Sequence, residues 1–90
     1  MPEAMPLSGE RIFDDIRATL AELGIDPERI RPDARLVDDL ELDSLDWIDL
    51  ALRLEEKLEV ELQEERLADV HTLQQVVELI EARLSGRSGS

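Results

Sequence analysis

Ser44, in the run Asp43-Ser44-Leu45, follows the acidic residues Asp38, Asp39 and Glu41. A serine acts as a nucleophile by itself only when a neighbouring base takes its proton. The single histidine, His71, lies far along the chain, and carboxylates surround Ser44. A self-activated nucleophile is therefore not expected. The chain has no cysteine, which excludes disulfides, thiolate zinc sites and cysteine nucleophiles. One histidine also argues against a histidine-built metal centre or a Ser-His-Asp triad. Asp38, Asp39, Glu41, Asp43 and Asp46 offer oxygen ligands to a divalent cation, but not at the spacing of an EF-hand loop. A solvated acidic face is the simpler explanation, and no metal site is expected. What remains for Ser44 is a hydroxyl displayed for another enzyme to modify.

Ser44 must be held by a small fold, because 90 residues build one domain with one core. Apolar residues make up 42% of the chain and aromatic ones 2%, so that core is aliphatic, with Phe13 and Trp47 as its only aromatic side chains. Three segments show helical periodicity. Ile12, Phe13, Ile16, Leu20 and Leu23 recur every three to four residues, with Ser8 as N-cap and Gly24 as stop. Leu73, Val76, Val77, Ile80 and Leu84 do the same, entered by a capping box at Thr72 and Gln75 and ending before Gly86. Between them Asp43 caps a helix from Ser44 to about Glu59. A short helix is expected over Glu64 to Asp69, its start favoured by Glu64 and Glu65.

Residues 24–42 read as a long ordered loop. Pro27 and Pro32 break any helix, while Ile25, Ile30, Ala34, Leu36, Val37 and Leu40 are apolar enough to lie across a core, and Leu36 to Leu40 could form a further short turn. Loops of this length in small domains tend to be functional. The sequence thus predicts an all-α fold with up to four helices. Residues 1–7 and 85–90 are expected to be flexible ends around a domain spanning 8–84.

The middle helix carries two apolar arcs. At about 100° per residue, Trp47, Leu50, Ala51, Leu54 and Leu58 share one side, which matches the core stripes of the other helices. Leu45, Ile48 and Leu52 share another, flanked by Asp49, Glu55 and Glu56, with Asp46 on the remaining polar side. A surface helix needs only one apolar stripe. The second is either covered by the long loop or forms a protein-binding ridge with an acidic rim, and the two are compatible if the cover is partial.

Ten Lys and Arg against 23 Asp and Glu give a formal net charge of −13. That balance argues against nucleic acid or an anionic membrane as partner and favours basic proteins, captured quickly and more weakly in salt. No apolar run is long enough to span a membrane, and Met1 to Leu7 lack the features of a signal peptide, so a cytoplasmic location is expected.

The stretch Val37-Asp38-Asp39-Leu40-Glu41-Leu42-Asp43-Ser44-Leu45-Asp46-Trp47-Ile48-Asp49-Leu50 resembles the signature of acyl carrier proteins, which have Asp-Ser-Leu at the start of the second helix. The resemblance runs from about Glu10 to Leu84 and includes Leu54-Glu55-Glu56 and Val70-His71-Thr72-Leu73. It implies a monomeric small four-helix bundle, three longer helices and one short, that is not itself an enzyme. It implies 4′-phosphopantetheine, derived from coenzyme A, attached to Ser44 within the motif Asp43-Ser44-Leu45 by a phosphopantetheinyl transferase. Acyl groups would ride on its thiol, which explains a carrier without cysteine, and reach acyl-processing enzymes whose basic patches meet Leu45, Asp46, Ile48, Asp49, Leu52, Glu55 and Glu56. The pathways so implied are fatty acid, specialised lipid or polyketide biosynthesis. The chain departs from the family pattern at Glu41, where many members have Gly, at Trp47, usually smaller, at Gln63, commonly Pro, and at Arg53 and Lys57, which dilute the acidity of the second helix. An aminoacyl or peptidyl carrier, and an acidic interaction module that never receives the group, are the alternatives.

Overall fold

The computed structural model describes residues 9–62 and 65–89, with side chains as far as Leu84. The expected flexible segment 1–7, the Ser8 cap, Gln63 and Glu64 lie outside the described residues. Three α-helices, α1 (Gly9–Glu22), α2 (Ser44–Leu58) and α3 (Leu73–Gly89), make an all-α fold in which α1 packs against both of the others. Among the described residues no strand forms.

Helix α1 ends where the sequence predicts. Gly24 has φ 93°, a left-handed conformation that glycine adopts without a Cβ penalty. The amide of Ile25 bonds the Leu20 carbonyl at 3.0 Å, and that of Gly24 bonds Ala21 at 3.0 Å, the paired bonds of a Schellman cap. Helix α3 starts at the predicted box, with the Gln75 amide 3.3 Å from Thr72 Oγ1 and the Thr72 amide 3.3 Å from Gln75 Oε1. It continues past the expected stop at Gly86 to Gly89. No proline intervenes, and each poor helix former added to an existing helix costs about 1 kcal/mol or less.

The expected fourth helix is replaced by a 3₁₀ turn at Leu67–Asp69. Its bonds run three residues back, from the Asp69 amide to Arg66 and the Val70 amide to Leu67, and no side chain caps its start. Three residues so bonded do not reach an α-helical turn. A second 3₁₀ turn, Pro27–Arg29, lies within the link from α1 to α2, where Asp26 caps the Glu28 amide at 3.0 Å and Pro27 supplies a preset φ.

The rest of that link is pinned to the entry of α3. Arg35 and Thr72 form an isolated antiparallel bridge, with the Leu36 amide 2.9 Å from the His71 carbonyl and the Leu73 amide 3.1 Å from Ala34. Ile30, Ala34, Leu36, Leu40 and Leu42 are thereby buried with Ile12, Ile16, Leu20, Leu50, Leu54 and Ile80 in one aliphatic core. Val37, expected to help cover that core, is instead 53% exposed.

Candidate functional site

The start of α2 is built by a reciprocal cap. Asp43 Oδ1 accepts from the Asp46 amide at 2.9 Å, and Asp46 Oδ2 accepts from the Asp43 amide at 3.2 Å. Two carboxylates near Ser44 are thus turned onto backbone N–H groups, where their charge also favours the positive end of the helix. Upstream, residues 35–41 coil in turns held by the Asp39 carboxylate on the Arg35 amide, at 2.8 Å, and by the Glu41 amide on the Val37 carbonyl, at 3.1 Å. The Leu42 amide then returns to the Leu36 carbonyl at 2.9 Å, which sets the direction of the chain into Asp43. Glu41 completes the bend with φ 56°, a left-handed conformation in a side chain that carries a Cβ. The departure from glycine at this position therefore falls on a strained residue.

Ser44 is exposed as the first residue of α2. The amides of Ser44 and Leu45 open the helix and so have no intrahelical acceptor. An anion on the Ser44 oxygen would meet these N–H groups and the positive end of the helix dipole. The donor chemistry thus suits a phosphodiester at this serine. His71 is exposed, and its own amide is held by Gln75 Oε1 at 2.6 Å. Among the described residues no group of three or more His, Asp or Glu is arranged to hold a metal ion, and no helix is long and apolar enough to cross a membrane.

Beyond Ser44 the two arcs of α2 separate. Trp47, Leu50, Ala51, Leu54 and Leu58 are buried, whereas Leu45, Ile48 and Leu52 are 75%, 53% and 50% exposed. The second stripe is therefore a surface ridge and is not covered by the link. A groove of about 130 Å³ beside it is lined by Ile48, Ala51, Leu52, Glu55 and Leu62.

The acidic rim is less free than its composition suggests. Glu55 is half-buried and accepts the Leu62 amide at 2.6 Å, so it holds the chain after α2 against the helix. Asp49 pairs with Arg53 at 2.9 Å, and Arg53 reaches Glu22 of α1 at 3.1 Å. Lys57 joins Glu22 at 2.8 Å and the buried Thr19 hydroxyl at 3.0 Å. These two cations, Lys57 first, hold the Glu22 carboxyl below its ordinary range. The sequence carries the i, i+4 spacing of Asp49 and Arg53 and the Asp43-x-x-Asp46 spacing of the cap, either of which is a readable signal. The partners on α1 and at Leu62 leave no such signal.

An exposed serine thus stands at a capped helix start beside an exposed apolar ridge. The family described as phosphopantetheine attachment site matches residues 14–80. The chain is 39% identical over 71 residues to an acyl carrier protein of Wolinella succinogenes, covering 78% of this chain and 93% of that protein. It is 37% identical to that of Helicobacter hepaticus, with the same coverage, and 38% identical over 76 residues to that of Coprothermobacter proteolyticus, covering 83% and 93%. The chain belongs to the acyl carrier protein family. It is a non-catalytic carrier, and its prosthetic group is 4′-phosphopantetheine.

Proposed function

We propose that Ser44 carries the 4′-phosphopantetheine group, and that the chain holds acyl intermediates for enzymes of fatty acid, specialised lipid or polyketide biosynthesis. The observation that supports this most is the exposed serine at the capped start of α2, next to an exposed apolar ridge. The bound group supplies a terminal thiol on which an acyl chain rides as a thioester. The protein's own part is to fix the attachment point, to place amides at the helix start near the phosphodiester, and to offer a face to each partner. Since no base stands near Ser44 in sequence, the partner transferase must remove the hydroxyl proton and direct the coenzyme A phosphate.

Leu45, Ile48 and Leu52 form the apolar part of that face, and Asp46, Asp49, Glu55 and Glu56 its charged part. The partners are a phosphopantetheinyl transferase and acyl-processing enzymes with basic patches, met by a cytoplasmic monomer whose working domain is residues 8–84. An excess of 13 negative charges opposes self-association and favours such partners.

Intact mass after incubation with coenzyme A and a broad-specificity transferase tests the assignment. The wild type should gain one arm. Ser44→Ala should melt like the wild type, since it removes only an exposed hydroxyl, and should gain none. An arm on the Ser44→Ala protein would refute the assignment.

A further inference from the structure

Asp49, Arg53 and Lys57 follow one another at intervals of four along α2, so they lie in line beside the apolar ridge. Arg53 holds Asp49 through Nε and Glu22 through Nη1, and Lys57 holds the other Glu22 oxygen. Two cations and two carboxylates close a cluster of zero formal charge in a strongly acidic chain. The Asp49 and Arg53 side chains remain 49% and 42% exposed, within reach of anything that docks on the ridge. Of the other carboxylates along the ridge, Asp46 closes the helix cap and Glu55 holds the Leu62 amide. Glu56 is exposed, with no ion pair among the described residues.

We propose that Arg53 is a specificity-determining residue of this face: by holding Asp49 it withdraws that carboxylate from a partner's cations. The face then selects proteins whose apolar socket takes Leu45, Ile48 and Leu52 without a basic residue bearing on Asp49. A basic residue aimed at the middle of the helix meets the Arg53 guanidinium, and approach of like charges slows encounter and disfavours that partner. This inference rests on the carrier reading and goes beyond it, since Arg53 and Lys57 are departures from the family's acidic helix.

The test uses the full chain, coenzyme A and a broad-specificity phosphopantetheinyl transferase, with initial rates of arm addition across a series of NaCl concentrations. R53Q, which frees Asp49, should raise kcat/KM about three- to tenfold at low salt, mainly through KM, with a steeper decline as salt is added. R53K, which keeps the charge, should stay near the wild-type rate. In the D49N background R53Q should bring no gain, because Asp49 is no longer a carboxylate and Glu22 stays held by Lys57. Melting curves establish that each variant is folded, and loss of exposed ion pairs costs little stability. A folded R53Q protein with kcat/KM at or below wild type, or a gain that persists with D49N, would overturn the inference. Failure of the wild type itself to gain an arm would instead overturn the carrier reading beneath it.

Discussion

Trp47, one turn along α2 from Ser44, donates its indole N–H to the carbonyl of Glu65 at 3.0 Å. This bond ties the buried side of α2 to the chain that leads into the Leu67–Asp69 turn, and the ion pair of Glu65 with Arg83 of α3 extends the tie. The indole is 3% exposed, so burial of its ring and satisfaction of its one polar group occur together. Trp47→Phe keeps most of the apolar volume and strands the Glu65 carbonyl, at a cost of about 1–3 kcal/mol. Trp47→Ala adds a cavity and should cost about 3–5 kcal/mol. Urea unfolding followed by far-UV circular dichroism measures both, and equal losses for the two variants would show that the hydrogen bond carries the whole effect.

Glu41 is strained where it stands. Its φ of 56° disfavours any residue with a Cβ by about 1–2 kcal/mol. Its ion pair with Arg29, at 3.4 Å, joins two side chains that are each more than half exposed, so the pair offsets little of that cost. Glu41→Gly should therefore raise stability by about 1 kcal/mol, after allowance for the greater freedom of glycine in the unfolded chain. A higher melting temperature with an unchanged denaturant slope is the expected result. A lower one would place the stabilising role in the Glu41 side chain.

Much of this architecture was legible because the signals are local. Asp43 before an apolar-periodic run, Thr72 three residues before Gln75, and Gly24 after Leu23 each mark a helix end through groups only a few residues apart. The two arcs of α2 follow from helical period alone, although period could not decide whether Leu45, Ile48 and Leu52 were covered. That depended on where the link from α1 runs, and its anchor is the bridge between Arg35 and Thr72, residues distant in sequence. The same limit hid the Trp47 to Glu65 bond, the reach of Arg53 and Lys57 to Glu22, and the holding of Leu62 by Glu55. The short helix expected before α3 is a 3₁₀ turn instead, because the acidic and apolar residues near it suit either form.

The Glu22 cluster makes part of the stability depend on pH. Lys57 and then Arg53 lower the Glu22 carboxyl pKa in the folded protein, so its contribution is present above the unfolded value, about 4.3, and lost as pH falls through the folded one. Glu22→Gln should accordingly be less stable than wild type at neutral pH, with the gap closing as the pH drops below about 4. General repulsion among the other carboxylates changes similarly in both proteins, so the difference isolates Glu22. Paired thermal melts between neutral and acidic pH measure it. A gap that is independent of pH would mean that the carboxylate charge is not what Lys57 and Arg53 recognise.

The two apolar sides of α2 should respond differently to the same truncation. Leu50 and Leu54 are fully buried, so replacing either with alanine removes packed methyl groups and leaves a cavity, at about 2–5 kcal/mol each. In a domain of this size that is a large share of the total stability. Ile48 and Leu52 keep about half their surface in water, and alanine there should cost about 1 kcal/mol. The functional effect runs the other way. A ridge that seats in a partner's socket loses apolar contact when it is shortened, so Ile48→Ala and Leu52→Ala should slow arm addition by the transferase while both proteins remain folded. Leu54→Ala, measured at a temperature where it is still folded, should be modified at close to the wild-type rate. Melts and transferase kinetics on the same four proteins separate the cases. If Ile48→Ala destabilises as much as Leu54→Ala and leaves the transfer rate unchanged, the exposed stripe is part of the core's support and not a docking ridge.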